Sequence, residues 1–397
     1  MKKLHLVSAM YASKGHGQEY VRNFCYELMG HYNIVLHLAT NSEIEAPEGI
    51  QITYTGVDYK RTEAQNFNRY SFFASYFRAI FKQLLSAKYY RKVIKSDLID
   101  NGDLVYIMDY DVIPLKILID GLKRKGTRIF LWIHSAKFES KNVLYTAYKS
   151  IFKKMFNSFI SNDIEGVVVN GDFIKEKIEF YLKIPKDKVH VIQYPSSIPF
   201  NPINKEAARK KLGISSKDNV VMSFGMLRKD KNIEFLIKSI AQVDTKVLLV
   251  IVGSEASVTR KDIENWIDKY NLKSYKLEID YISEERMALY YSASDLLLLT
   301  YNIESGSQSG PLSLAREFEL PAIVSNSGEI GRYVQHSGVG LVADLNIKDD
   351  FIKKIDRFFN SEDCKIQIAS NIKKAKEMYS WKSAKKKYLE VFDAKKN

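Results

Sequence analysis

At 397 residues the chain exceeds what one hydrophobic core usually supports, so two domains of about 200 residues each are expected. Two cysteines, Cys25 and Cys364, with no CxxC or Cys/His cluster, speak against a disulfide framework and a structural zinc; no apolar run reaches membrane-spanning length. A formal net charge of +13, from 60 basic and 47 acidic residues, points to an anionic partner or surface.

The start, MKKLHLVSAMYAS, is basic but has too short an apolar core for a signal peptide and reads as a first strand, so a cytoplasmic protein is expected. Gly15, His16 and Gly17 then read as a flexible loop able to approach a substrate or a phosphate, with Glu19 at the start of the following helix. From Asn66 to Lys95 the chain interleaves Phe and Tyr with Arg and Lys and carries no acid. The segment near Tyr145, YTAYKSIFKKMFNSFIS, is similar. Such helices suit an anionic lipid interface; the alternative is a core face of aromatics backed by solvated lysines. Asp109-Tyr110-Asp111 reads as a loop with a solvated carboxylate pair in preference to a metal site. RIFLWIH is a buried strand ending at His134, whose place at the carboxyl end of a strand is the crevice side of an open α/β sheet.

Prolines and polar residues between Pro195 and Asn204 interrupt both periodicities and mark a boundary, giving domains 1–198 and 199–380. KEAARKKLGI is then a short helix capped by Gly213. VVMSFGMLRKDKNIEFLIKSI reads as a strand, Gly225, a basic turn with Arg228, Lys229 and Lys231, and an amphipathic helix. Basic side chains there suit a diphosphate at the carboxyl end of a sheet. VLLVIV and DLLLL are further buried strands, with Glu255 following the VGS turn as a possible nucleotide contact. Ser307, Gln308, Ser309 and Gly310 form a small-residue loop ahead of a helix that starts near Pro311 and Leu312. Helix-start N–H groups, here of Ser309, Gly310 and Leu312, would favour an anion. Alternating strands and helices in both halves predict an α/β protein with parallel sheets.

In order, the basic turn after Gly225, the VLLVIVGSE strand, DYISEERMALYYSASDLLLLTY, the SGSQSG loop and LPAIVSNSGEIGRYV resemble the nucleotide-sugar half of glycosyltransferase family four, a retaining GT-B family. SAMYASKGHGQEYV, FLWIHS and GVVVNGDFIKEKI extend the resemblance over nearly the whole chain. It implies two Rossmann-like domains facing across a cleft, a C-terminal helix, 381–397, returning to the first domain with Trp381 at the hinge, and transfer of a sugar with retention. The donor would be a nucleotide-sugar held by Gly225, Arg228, Lys231, Glu255 and the 307–312 loop. The acceptor would be a glycan or lipid-linked molecule in surface polysaccharide or glycolipid synthesis, at the inner face of the membrane. Basic groups around the leaving diphosphate can stand in for a divalent ion, so no metal and no cofactor are expected. His134 would orient the donor sugar or assist acceptor deprotonation.

The common Glu-x7-Glu motif of the family is missing: counting back from Pro321 places Leu314 and Gly306 at its two glutamates. Glu304 lies two residues from the first of these positions and is the available substitute. Met226 followed by Arg228 resembles a branch with an S-Q-S-G loop and a displaced arginine. The alternative is a catalytically silent GT-B protein that binds glycan or stabilises an active transferase. Recognisable nucleic-acid modules are absent, so no nucleic-acid partner is expected.

Overall fold

The computed structural model describes residues 1–8, 16–40, 47–58, 72–134, 153, 157, 162–195, 202–302 and 309–394. The backbone divides into two compact units, Met1–Gln193 with Trp381–Asn397, and Tyr194–Ser380.

The N-terminal unit is built on seven parallel strands: β1 (Lys2–Val7), β2 (Tyr32–Thr40), β3 (Gln51–Asp58), β4 (Leu104–Ile107), β5 (Arg128–Ile133), β6 (Gly166–Val169) and β7 (Val189–Val191). Their order is β3-β2-β1-β4-β5-β6-β7. The helices before and between them are α1 (His16–Leu28), α2 (Phe72–Ile94), α3 (Val112–Arg124) and α4 (Asp172–Leu182). Parallel strands need helical crossovers, and helices on both faces leave the inner strands without a solvent side. The last four residues of β1 and all of β4 are accordingly buried.

Two sequence expectations change here. His16 and Gly17 stand in the first turn of α1 and not in a loop; the helix gains Glu19 near its positive end. In α2, Tyr89 and Tyr90 are fully buried and Tyr89 donates to the His37 carbonyl at 2.6 Å, so these two aromatics belong to the core and not to a lipid-facing surface. The outward face of the same helix carries Phe81 and Leu84, each 62% exposed, with Lys88, Arg91 and Lys92, and Lys95 follows its last residue. The segment near Tyr145 lies outside the described residues.

The C-terminal unit has six parallel strands: β8 (Asn219–Phe224), β9 (Val247–Val252), β10 (Tyr275–Glu278), β11 (Leu296–Leu299), β12 (Ala322–Ser325) and β13 (Gly340–Ala343). They lie in the order β10-β9-β8-β11-β12-β13. Its helices are α5 (Lys205–Leu212), α6 (Ile233–Ile240), α7 (Arg260–Lys269), α8 (Glu284–Ala293), α9 (Gly310–Glu317), α10 (Gly328–Ser337), α11 (Asp350–Asn360) and α12 (Glu362–Met378). α5 ends where the sequence marks it, on Gly213 in the left-handed region at φ 65°, where a side chain would be strained. The order reverses between β8 and β11, and the crevice beyond the carboxyl ends of two such strands is the usual ligand position in an open α/β sheet.

The chain then returns to the N-terminal unit as α13 (Trp381–Asp393). Phe392 meets Phe130 at 5.0 Å between ring centroids, Tyr388 meets Phe24 edge-on at 4.9 Å, and Trp381 lies 5.1 Å from Tyr20. Arg128 fixes the helix end by donating to the Phe392 carbonyl at 2.7 Å.

Candidate functional site

β8 delivers the chain to Gly225, whose φ of 96° is open to glycine at little cost. The next glycine turn, after β9, presses on it: a Cβ on Gly253, itself at φ 144°, would fall 2.4 Å from the Gly225 carbonyl oxygen. Two backbone turns therefore touch at the carboxyl ends of β8 and β9. Gly225 N–H donates to the Val252 carbonyl at 2.8 Å, and Leu227 N–H to that of Ser254 at 2.8 Å. These bonds tie the basic turn to the sheet.

A Cβ on Gly225 would meet Lys231 Nζ at 3.0 Å and Pro311 Cγ at 3.6 Å. The basic turn after β8 and the start of α9 after β11 thus converge on one glycine, beside the strands where the sheet order reverses. Lys231 is 5% exposed and donates to the Phe224 carbonyl at 2.6 Å. Burial, with the nearby Arg228 charge adding to it, lowers its pKa to about 7. A buried ammonium with one carbonyl partner is poorly solvated, and an arriving anion would restore its charge.

Arg228 is exposed and forms a two-pronged pair with Asp230, Nε to Oδ1 at 2.9 Å and Nη2 to Oδ2 at 2.8 Å. Ser309 caps α9, with Pro311 in the first turn. Its hydroxyl accepts from Leu312 N–H at 3.4 Å. The Leu312 N–H thus serves the cap, whereas those of Ser309 and Gly310 have no partner among the described residues. Tyr301 Oη stands 3.5 Å from Ser309 Oγ, and Ser325 Oγ holds the Tyr301 carbonyl at 2.7 Å. Glu255 is exposed and accepts from Arg260 N–H at 2.6 Å, so one carboxylate oxygen caps α7. Leu314 is 3% exposed within the core of this unit.

In the N-terminal unit, His134 follows β5 and is exposed, its ring 5.5 Å from that of Trp132. Desolvation lowers its pKa, which favours the neutral form that can accept a proton. Asp109 and Asp111 are not a solvated pair. Asp111 is 8% exposed, ion-paired with Lys82 at 2.9 Å and bonded to Ser86 and Gln83 of α2, while Asp109 accepts from Ser8. No group of three or more metal-ligating residues occurs among the described residues. Gly15, Glu304, Ser307 and Gln308 lie outside them.

The stretch 204–377 matches the family described as glycosyl transferases group 1. That stretch takes in the Gly225 turn, Lys231 and the start of α9. Two uncharacterized glycosyltransferases of Methanocaldococcus jannaschii are similar to the chain, at 22% identity over 57% of it and 23% over 62%. These matches span 59% and 65% of the two relatives, less than two thirds of either. Among solved structures, sucrose-phosphate synthase from Thermosynechococcus elongatus is similar with a TM-score of 0.74 at 16% identity, covering 99% of this chain and 98% of that one. The HepE protein of Anabaena in complex with UDP and glucose gives 0.69 at 14%, covering 99% and 100%. The fold is GT-B, two Rossmann-like α/β domains.

Proposed function

We propose that the protein is a retaining glycosyltransferase that moves a sugar from a nucleotide-sugar to a glycan or lipid-linked acceptor. The observation that carries this is the convergence of Lys231 and the start of α9 on Gly225, inside the stretch that matches the group 1 family. Departure of a nucleoside diphosphate builds negative charge on its phosphate oxygens, and groups fixed in advance around that charge lower the barrier. Lys231 supplies a buried ammonium, Arg228 an exposed guanidinium, and Ser309 and Gly310 backbone donors at a positive helix end. Those groups would do the work of a divalent ion. His134 serves acceptor deprotonation or orients the donor sugar, and retention is carried over from the family resemblance.

HepE was crystallised with UDP and with UDP-glucose, which makes UDP the first probe. A ligand that binds only the native state raises the melting temperature. We expect UDP or another nucleoside diphosphate to do so and the matching sugar nucleotide to be consumed when acceptor is present. Indifference of the melting temperature to all nucleoside diphosphates would overturn the reading.

The acceptor side is proposed to work at an anionic membrane surface. Support comes from the outward face of α2, where Phe81 and Leu84 precede Lys88, Arg91 and Lys92. No helix among the described residues is long and apolar enough to cross a membrane. Co-sedimentation with anionic vesicles and not with neutral ones, weakened by salt and by Phe81→Ser with Leu84→Ser, is the expected result. Equal recovery with both vesicle types removes this part of the proposal.

A further inference from the structure

Arg316, near the end of α9, is 3% exposed. A guanidinium so deeply buried is costly unless its donors are used. Its Nε lies 3.2 Å from Glu317 Oε1 and its Nη1 3.4 Å from Tyr333 Oη. Its Nη2 reaches two backbone carbonyls, Tyr194 at 3.5 Å and Tyr379 at 3.4 Å, and the guanidinium stands 5.3 Å from the centre of the Tyr379 ring. Tyr194 is the residue with which the backbone enters the C-terminal unit, and Tyr379 precedes Ser380, with which it leaves. One side chain therefore holds both crossing segments. Its helix begins at Gly310, six residues earlier, about 9 Å along the axis.

An eight-residue helix moves as a rigid rod, so a displacement of its first turn reappears at Arg316. Lysine could not serve in its place, because a single ammonium lacks the planar fork that spans several acceptors at once. We propose that Arg316 is a positioning residue that couples diphosphate binding at the start of α9 to the two segments joining the units. The coupling rests on the donor-site reading above. By linkage, whatever orders those segments must also favour the nucleotide.

Hydrogen exchange with and without UDP, at backbone amides in peptides spanning Tyr194 and Tyr379–Ser380, tests it. The Tyr379 and Ser380 amides donate to the Ala375 and Glu377 carbonyls and are protected enough to follow. In the wild type, UDP is expected to slow exchange at both segments. In Arg316→Lys the UDP dissociation constant, measured by titration, should stay within about threefold, a shift of under one kilocalorie, while the slowing at these amides is lost. Tyr333→Phe keeps the charge and frees one guanidinium N–H; it should show partial loss and covers the case in which Arg316→Lys does not fold. Undiminished slowing in either folded variant overturns the proposal, as does a wild type that binds UDP with no change at these amides. A wild type that binds no nucleoside diphosphate is seen in the titration itself and fails the donor reading.

Discussion

Lys231 would make the proposed donor site sensitive to pH in a way that can be counted in protons. Burial lowers its pKa from 10.5 to about 7. At about 1.36 kcal/mol per unit, the folded protein disfavours the charged form by roughly 5 kcal/mol. The unfolded chain holds its proton up to pH 10.5, so between pH 7 and 10.5 the unfolded state binds more protons than the folded one, and stability rises with pH across that window. At pH 8 about nine in ten folded molecules carry a neutral Lys231. A diphosphate placed against Nζ restores the charge, so its binding at pH 8 should take up about 0.9 of a proton. Isothermal titration with UDP in buffers of different ionisation enthalpy measures this directly, as the slope of observed enthalpy against buffer enthalpy. Affinity should also fall about tenfold per unit as pH rises beyond 8. Lys231→Met should abolish the proton uptake and weaken UDP, yet raise stability at pH 7, because a buried charge is removed together with its single carbonyl contact. A zero slope in a wild type that binds UDP would refute the reasoning, since the ligand would then not meet the lysine.

Arg228→Ala should weaken UDP by about 1–3 kcal/mol, the usual range for hydrogen bonds to charged groups; unchanged titration would take Arg228 out of the donor site. Leu314→Glu buries a carboxylate at a 3% exposed position and should lower the urea midpoint without any gain in sugar-nucleotide binding. Improved binding would show that the position still accommodates the family's glutamate. Gly253→Ala sets a Cβ 2.4 Å from the Gly225 carbonyl in a left-handed conformation, so it should distort the basic turn and cost UDP affinity and stability together. A variant with wild-type melting temperature and affinity would show the two turns to be uncoupled. Transfer activity should survive EDTA; loss on chelation with recovery on adding magnesium would show that a divalent ion works beside Lys231.

Much of the fold is legible because inner parallel strands must be apolar along their whole length. LHLV, RIFLWI, VLLVIV and LLLL announce themselves for that reason. The edge strand β10, YKLE, has no such run, since no strand among the described residues pairs with its outer side, and it is visible only through its pairing with β9. The strand–turn–helix around Gly225 is readable from residue types. That Lys231 is buried is not, because its surroundings are assembled from the turn after β8 and the start of α9, which lie far apart in sequence. The same limit explains Asp111, which looks solvated until α2 brings Lys82 and Ser86 to it. Tyr89 and Tyr90 mislead in the opposite sense: composition shows aromatics among cations, but the rotation of α2 decides which side meets the core. His16 and Gly17 are poor helix formers individually, and the helix that includes them extends through the apolar residues beyond Glu19.

The return of α13 has a bearing on how the molecule is made. Trp381, Tyr388 and Phe392 complete the aromatic packing over Tyr20, Phe24, Tyr106 and Phe130, yet they are translated only after all of Tyr194–Ser380. At about 5–20 residues per second, the nascent N-terminal unit waits roughly ten to forty seconds with that face uncovered. The C-terminal unit, continuous in the chain, can reach its native state first. A chain broken off between Ser380 and Trp381 would carry a complete C-terminal unit beside an N-terminal unit that lacks the helix covering its aromatic face.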